Sequence, residues 1–239
     1  MIAGDAKHPA TLPGPRRGYA PLPFTICLDS KSAALIASYG LEASATWTQR
    51  RDGLIVRVLL ATGLRRAELA GLTEKSIRPW GTQPWLYIVG KGGRCRWVPL
   101  HPFLVRERKS LFESISSSLS RPSILPFIPS VCGQQLRPTA PRTVYDAVAR
   151  ASLATLGNKI HPHTLRHTCA SLMLSTRAPL SGVQGILGHS DLRTTARYLH
   201  LLPETLLAAA SDDFYAAIGI EAGIHHRQQS IRFPMEAVQ

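Results

Sequence analysis

Apolar positions along this chain recur mostly three and four residues apart, the spacing of one helical face. "DSKSAALIASYG" (29–40) begins that pattern, with Asp29 or Ser30 as its cap. "RRDGLIVRVLLATG" (50–63) continues it as a helix ending near Gly63, and "RRAELAGL" (65–72) follows at once. The pattern changes over residues 85–100. There "WLYIV" and "CRWVPL" are rich in β-formers and flank "GKGGR", which predicts a hairpin turning at Gly92 and Gly93. Pro102 then opens a helix through "FLVRERKSLFESISSSL". A proline-rich loop spans about 121 to 139. Thr139 and Pro141 start the helix "PRTVYDAVARASLATLG", which Gly157 closes. "PHTLRHTCASLMLSTR", "LSGVQGILG", "DLRTTARYLH" and "PETLLAAASDDFYAAI" all read as short helices. The expected fold is α+β, mainly α-helical, with one small antiparallel β-sheet. Residues 1–28 are Pro- and Gly-rich and basic and read as an arm or linker; residues 29–220 read as one domain; residues 221–239 read as a tail.

Charge adds a partner to this outline. The 239 residues carry 28 Lys and Arg against 15 Asp and Glu, a net charge of +13. That excess calls for a polyanion, either nucleic acid or an anionic membrane surface. The apolar runs are short and interrupted by Arg or Gly, well under the roughly 20 residues of a membrane span. The N-terminus lacks the apolar segment of a secretory signal. Nucleic acid is therefore the expected partner, and no membrane. Cys27, Cys95, Cys132 and Cys169 are far apart and form no C-x-x-C pair. They read as reduced thiols of a cytoplasmic protein rather than a zinc or disulfide framework.

Four stretches carry candidate chemistry, and each admits a plain structural reading. In "PHTLRHTCASLML", His163, Arg166 and His167 sit three and four residues apart on a helix; the plain reading is a basic amphipathic helix with a structural histidine. The H-x-x-x-H spacing lacks the glutamate of a zinc protease, since Thr164 follows the first histidine, and no further ligand set accompanies it; no metal and no cofactor is expected. In "ATGLRRAELAGL", Arg65 projects from a helix junction beside free backbone N–H groups, a place suited to an anion. Glu68, three residues on, is placed to hold an arginine or a backbone N–H, as a surface pair would be. In "IVGKGGRCRWVPL", Lys91 sits at the mouth of a glycine-rich turn with Arg94 and Arg96 beyond it; a solvated hairpin tip looks the same. "LGHSDLRTTARYLH" adds His189 and Tyr198, the latter equally readable as a packed aromatic.

Taken together and in order, "TGLRRAELAGL", "GKGGRCRWVPL", "HPHTLRHTCASLML" and "LGHSDLRTTARYLH" resemble the tyrosine recombinases, the phage integrase and Xer-like family, over about residues 30–215. The resemblance implies that residues 29–220 are a catalytic domain that cuts and rejoins double-stranded DNA through a 3′-phosphotyrosyl ester, without metal or cofactor. It implies a site of Arg65, Lys91, His163, Arg166, His189 and the nucleophile Tyr198. A free phenol has a pKa near 10, so only about one in a thousand is ionised at pH 7. Arg65 and Arg166 would hold the non-bridging phosphate oxygens in planar forks. His189 would add a hydrogen bond, His163 would take or relay the phenol proton, and Lys91 would protonate the departing 5′-oxygen. Arg65, Lys91, Arg94, Arg96, Arg166 and His189 are the expected DNA contacts. The family also implies a homo-oligomer, a tetramer on DNA, with the helix bearing Leu206, Leu207, Ala210 and Phe214 docking on a neighbour.

One departure stands out. Only 64 residues precede Arg65, and roughly half belong to the catalytic domain. That leaves no room for an N-terminal DNA clamp of about 80–100 residues, the size of an ordinary small domain. A site-specific recombinase or integrase, a type IB topoisomerase-like nicking and resealing enzyme, and a non-catalytic or partner-dependent DNA-binding remnant are the three functions this sequence admits.

Overall fold

The structure, a computed structural model, describes residues 27–115, 117–188 and 203–220. Helices α1 (Ser30–Ala37) and α2 (Trp47–Thr62) begin it. Asp29 caps α1, its carboxylate accepting from the Ser32 N–H at 2.8 Å. Thr46 and Gln49 form a reciprocal capping box on α2. Every residue of α2 from Arg51 onward is buried, the signature of a helix surrounded by others. Around it stand α1, α4 (Pro102–Glu113), α5 (Pro141–Leu156) and α6 (Pro162–Ser175). Leu54, Ile55, Val56, Val58, Leu59 and Leu60 supply its share of the core.

Burial on all sides forces the polar residues of α2 into internal pairs. Asp52 lies between Arg51 and Arg150, each 2.7 Å from a carboxylate oxygen. Arg57 donates to the carbonyls of Ala37 (2.5 Å) and Tyr39 (2.9 Å) and forks onto both oxygens of Glu107. It thereby ties the end of α1 and the face of α4 to the central helix.

A short helix, α3 (Arg66–Gly71), follows α2 and leads into a three-stranded antiparallel sheet: β1 (Ile77–Trp80), β2 (Gln83–Val89) and β3 (Cys95–Pro99), in the order β1-β2-β3. The expected hairpin is the β2–β3 pair, with Val89 opposite Cys95; strand β1 joins it outside the predicted pattern. A second hairpin, β4 (Pro129–Cys132) and β5 (Gln135–Pro138), occupies the stretch expected to be a loop. Its strands are four residues long and rich in proline, too short for a visible alternation. Thr139, expected to start a helix, instead hydrogen-bonds the Ile128 carbonyl (2.9 Å) and Ser130 and pins this hairpin; Ala140 caps α5. Gly157 ends α5 in the left-handed conformation, as expected.

Helix α7 (Leu180–Leu187) packs on α6 and β3, and α8 (Pro203–Ala209) packs on α7. The last predicted helix is in fact two, because Ser211 caps a new one, α9 (Asp212–Ala217), by accepting from the Phe214 N–H. Leu206, Ala210 and Phe214 are buried in this chain's own core, with Leu207 packed against it. The expectation that this face docks on a neighbour is corrected here: an amphipathic helix joined by a short link most easily covers itself in cis.

Arg57→Met, which keeps length but not charge, leaves Glu107 and two carbonyls without their donor. It is expected to lower unfolding free energy by about 3 kcal/mol, read from urea midpoints, with part recovered when Glu107→Met is added.

Candidate active site

The site begins where α2 stops. Gly63 caps α2 in the left-handed conformation (φ 60°, ψ 22°). A Cβ there would lie 2.4 Å from Leu187 Cδ2. Only glycine both adopts this φ without strain and lets α7 approach so closely. Leu64 plunges into the core, which turns Arg65 outward in extended backbone (φ −73°, ψ 148°) at the start of α3. The Glu68 carboxylate folds back over the helix start. It accepts from the Arg65 backbone N–H (2.8 Å) and from Arg65 Nη1 (2.9 Å). Arg65 keeps 43% of its side chain exposed, so its guanidinium is fixed at one edge and open at the other.

Helix α6 brings Arg166 to the same junction from below. Leu165, Cys169, Leu172 and Met173 hold the helix in the core, and Arg166 is itself buried. One terminal nitrogen, Nη1, donates to the carbonyl of Gly63; Nη2 donates to that of Leu187 at 2.7 Å. Both carbonyls close helices, α2 and α7, where intrahelical donors run out and the dipole is negative. One turn earlier, His163 is exposed beside His167, with ring centres 5.6 Å apart.

The β2–β3 hairpin supplies the third wall. Its tip is a 3₁₀ turn, Lys91–Gly93, with Gly92 and Gly93 at φ 76° and 74°. The turn closes with Gly90 N–H donating to the Arg94 carbonyl at 2.7 Å. Arg94 is exposed, as a DNA contact requires. Arg96, also expected as a DNA contact, is largely enclosed and turned inward. Its guanidinium forks onto both oxygens of Glu68 (2.9 and 2.8 Å), and its Nε donates to the Ile186 carbonyl at 2.8 Å. Strand alternation is the cause, since Arg96 shares a face with buried Val98.

Two guanidinium groups, those of Arg65 and Arg96, thus share a single carboxylate, with the charge of Arg166 nearby. Burial alone would push the Glu68 carboxyl up, but the Arg96 and Arg65 donors outweigh it and hold the group near 2. Arg166 is pushed down to about 10, first by burial and then by the charges of Arg65 and Arg96; it is still a cation at neutral pH. His163 is held below the usual histidine value by burial first and then by His167, Arg166, Arg65 and Arg66. The uncharged imidazole is therefore favoured at neutral pH.

The structure therefore gathers Arg65, Arg166 and His163 at one junction, with the backbone of Lys91 on the turn of the adjoining hairpin and Arg94 beside it. His189 and Tyr198 lie outside the described residues; α7 ends at Gly188, immediately before His189. Among the described residues, no three His, Cys, Asp or Glu side chains are grouped to hold a metal ion, and no helix is long and apolar enough to cross a membrane. Sequence reasoning placed Glu68 near an arginine or an N–H but missed that it serves both, and that its second arginine comes from a strand.

Because the Glu68 carboxyl lies below its unfolded value of 4.5, its pairing stabilises the fold above that pH and is lost as pH falls toward about 2. Glu68→Gln is accordingly expected to be less stable than the parent at pH 7, with the gap narrowing as pH drops through that window. Thermal unfolding of both proteins between pH 7 and pH 2.5 measures it.

Known proteins place this arrangement. Residues 41–205 match the model of the phage integrase family. The tyrosine recombinase XerC of Pseudomonas fluorescens strain Pf0-1 is 34% identical over 194 residues, covering 81% of this chain and 61% of that protein. XerC of Staphylococcus saprophyticus is 33% identical over 156 residues, covering 65% of this chain and 51% of its own. This chain thus spans about half to six-tenths of the length of these curated relatives. Among solved structures, the XerH site-specific recombinase in its pre-cleavage complex with difH substrate superposes with a TM-score of 0.56 at 25% identity, over 77% of this chain and 53% of that one. The XerA recombinase shares the fold, with a TM-score of 0.55 at 24% identity over 76% of this chain and 62% of that one. With the family model matched over residues 41–205 and a relative 34% identical over 81% of this sequence, the chain belongs to the phage integrase family.

Proposed function

We propose that this protein is a site-specific DNA recombinase or integrase that cleaves and rejoins double-stranded DNA through a 3′-phosphotyrosyl intermediate. The observation that carries the reading is the meeting of Arg65 and Arg166 with an uncharged His163 at one helix junction, next to the turn that bears Lys91. A phosphodiester is an anion, and attack on it builds further charge on its non-bridging oxygens. Fixed cationic donors that meet this charge are worth about 10²–10³ in rate each. Arg65, anchored at one edge and open at the other, is suited to a bidentate grip. Arg166 adds charge from beneath, and His189 supplies a further hydrogen bond.

Tyr198 attacks the phosphorus, and its proton passes to His163, which is free to accept it. Lys91 gives a proton to the departing 5′-oxygen, so that an alcohol leaves rather than an alkoxide. The ester conserves the energy of the broken bond, so a 5′-hydroxyl from another strand reverses the step and completes strand exchange. Arg94 makes a phosphate contact beside the hairpin tip. The excess of 28 basic over 15 acidic residues suits a DNA partner, and the structurally similar XerH site-specific recombinase is bound to difH substrate. Residues 29–220 act as the catalytic domain, residues 1–28 as a basic arm and 221–239 as a tail. The working form is an oligomer, a tetramer on DNA, in the cytoplasm.

Incubation with nicked suicide duplexes from the gene's own neighbourhood is expected to give a covalent protein–DNA adduct that Tyr198→Phe abolishes. Lack of an adduct on every flanking duplex would count against catalysis by this chain. Four-way junctions formed from two duplexes mark a recombinase; relaxation without junctions marks a topoisomerase. Since His163 works as a base, the adduct rate is expected to hold at neutral pH and decline only below the 6.5 of an ordinary histidine. In Lys91→Ala, a substrate with a 5′-sulfur leaving group, which needs no proton, is expected to restore cleavage.

A further inference from the structure

We propose that Arg96 is a positioning residue, which acts through Glu68 to fix and keep charged the phosphate-gripping guanidinium of Arg65, and touches no DNA itself. The claim rests on the reading of Arg65 as a phosphate ligand.

The geometry argues it in two steps. Glu68 is only 7% exposed and holds two arginines: Arg96 by a two-pronged fork, Arg65 by one terminal nitrogen and its backbone N–H. A carboxylate this enclosed pairs with whatever cation is nearest. With Arg96 in the fork, the carboxylate is already neutralised, and Arg65 keeps most of its charge for an incoming anion. Without Arg96, Glu68 would turn wholly onto Arg65, cancel its charge and draw it from the open edge. Arg96 is thus the residue that lets Glu68 hold Arg65 without consuming it.

Arg96 is in turn held firmly. Its side chain is 11% exposed, and its Nε is bound to the Ile186 carbonyl at the end of α7. Gly188, at φ 63°, leaves room for it: a Cβ there would sit 3.0 Å from Arg96 Cδ and 3.2 Å from Nε. A Cβ on Gly90, next to Lys91, would likewise stand 3.6 Å from Glu68 Oε1 and 3.7 Å from Arg96 Nη1. The pair therefore lies at the foot of the hairpin that carries Lys91.

The test compares Arg96→Lys, which keeps the charge but cannot fork, with the parent protein; Glu68→Gln approaches the same link from the other side should the first fail to fold. Adduct formation on the suicide duplex is expected to slow about 10–100-fold, the usual cost of a lost supporting contact. In an Arg65→Ala background the same change is expected to alter the residual rate within about twofold, because the residue it acts through is gone. DNA affinity, measured in Tyr198→Phe protein across a salt series, is expected to keep its slope. A lost phosphate contact would reduce that slope by about 0.9. In protein labelled with ¹⁵N-arginine, the Arg65 guanidinium signal is expected to move further toward that of a fully salt-bridged side chain in Arg96→Lys, as Glu68 turns onto it. A reduced salt slope, an equal loss of rate without Arg65, or an unmoved Arg65 signal overturns the proposal. If the parent protein forms no adduct at all, the recombinase reading fails by itself, and the salt slope and the Arg65 signal still decide this one.

Discussion

Three positive charges must be kept side by side, and this domain is arranged around doing so. Arg65, Arg96 and Arg166 repel one another, and two of them are largely out of water. One carboxylate, Glu68, and three carbonyls, those of Gly63, Ile186 and Leu187, offset the repulsion. Those carbonyls are the spare acceptors at the ends of α2 and α7, where the backbone has no donors of its own left. The helices and the arginines therefore need each other: the helix ends lack donors, and the buried cations lack acceptors. Net positive charge remains after these pairings, and it is open to solvent only at Arg65.

The rest of the fold follows from where those helix ends must be. α2 has to lie at the centre so that its C-terminus meets α6 and α7, and Arg57 and Asp52 satisfy internally what that burial costs in polar contacts. The β2–β3 hairpin has to lean on α7 so that Arg96 can reach both Glu68 and Ile186. Gly63 and Gly188 stand at the two places where a side chain would hold these pieces apart.

Much of this was legible in the sequence, for identifiable reasons. α2, α5 and α6 carry long periodic apolar faces with glycine or proline at their ends, and the order of their motifs pointed to Arg65, His163 and Arg166 together. The β1 strand and the β4–β5 hairpin were not legible. Their strands are four residues long and contain proline, so no alternation of apolar and polar positions marks them, and the bond from Thr139 to Ile128 that pins β4–β5 leaves no pattern in the sequence. The inward turn of Arg96 was not legible, because a basic residue near a glycine-rich turn looks solvated; alternation with Val98 held the clue. The split between α8 and α9 was hidden because the apolar spacing runs straight through Ser211, whose capping role shows only once Phe214 is seen to be its partner.

The hydrogen bonds of the arginine cluster form a circuit with no free end. It runs from Gly63 through Arg166 to Leu187, back along α7 to Ile186, through Arg96 and Glu68, and returns to Arg65 two residues after its start. The ends of α2 and α7, the foot of the hairpin and the start of α3 are thereby tied to one another by side chains and not by backbone pairing. The contacts that ready Arg65 for an anion are thus the same contacts that close these helix ends.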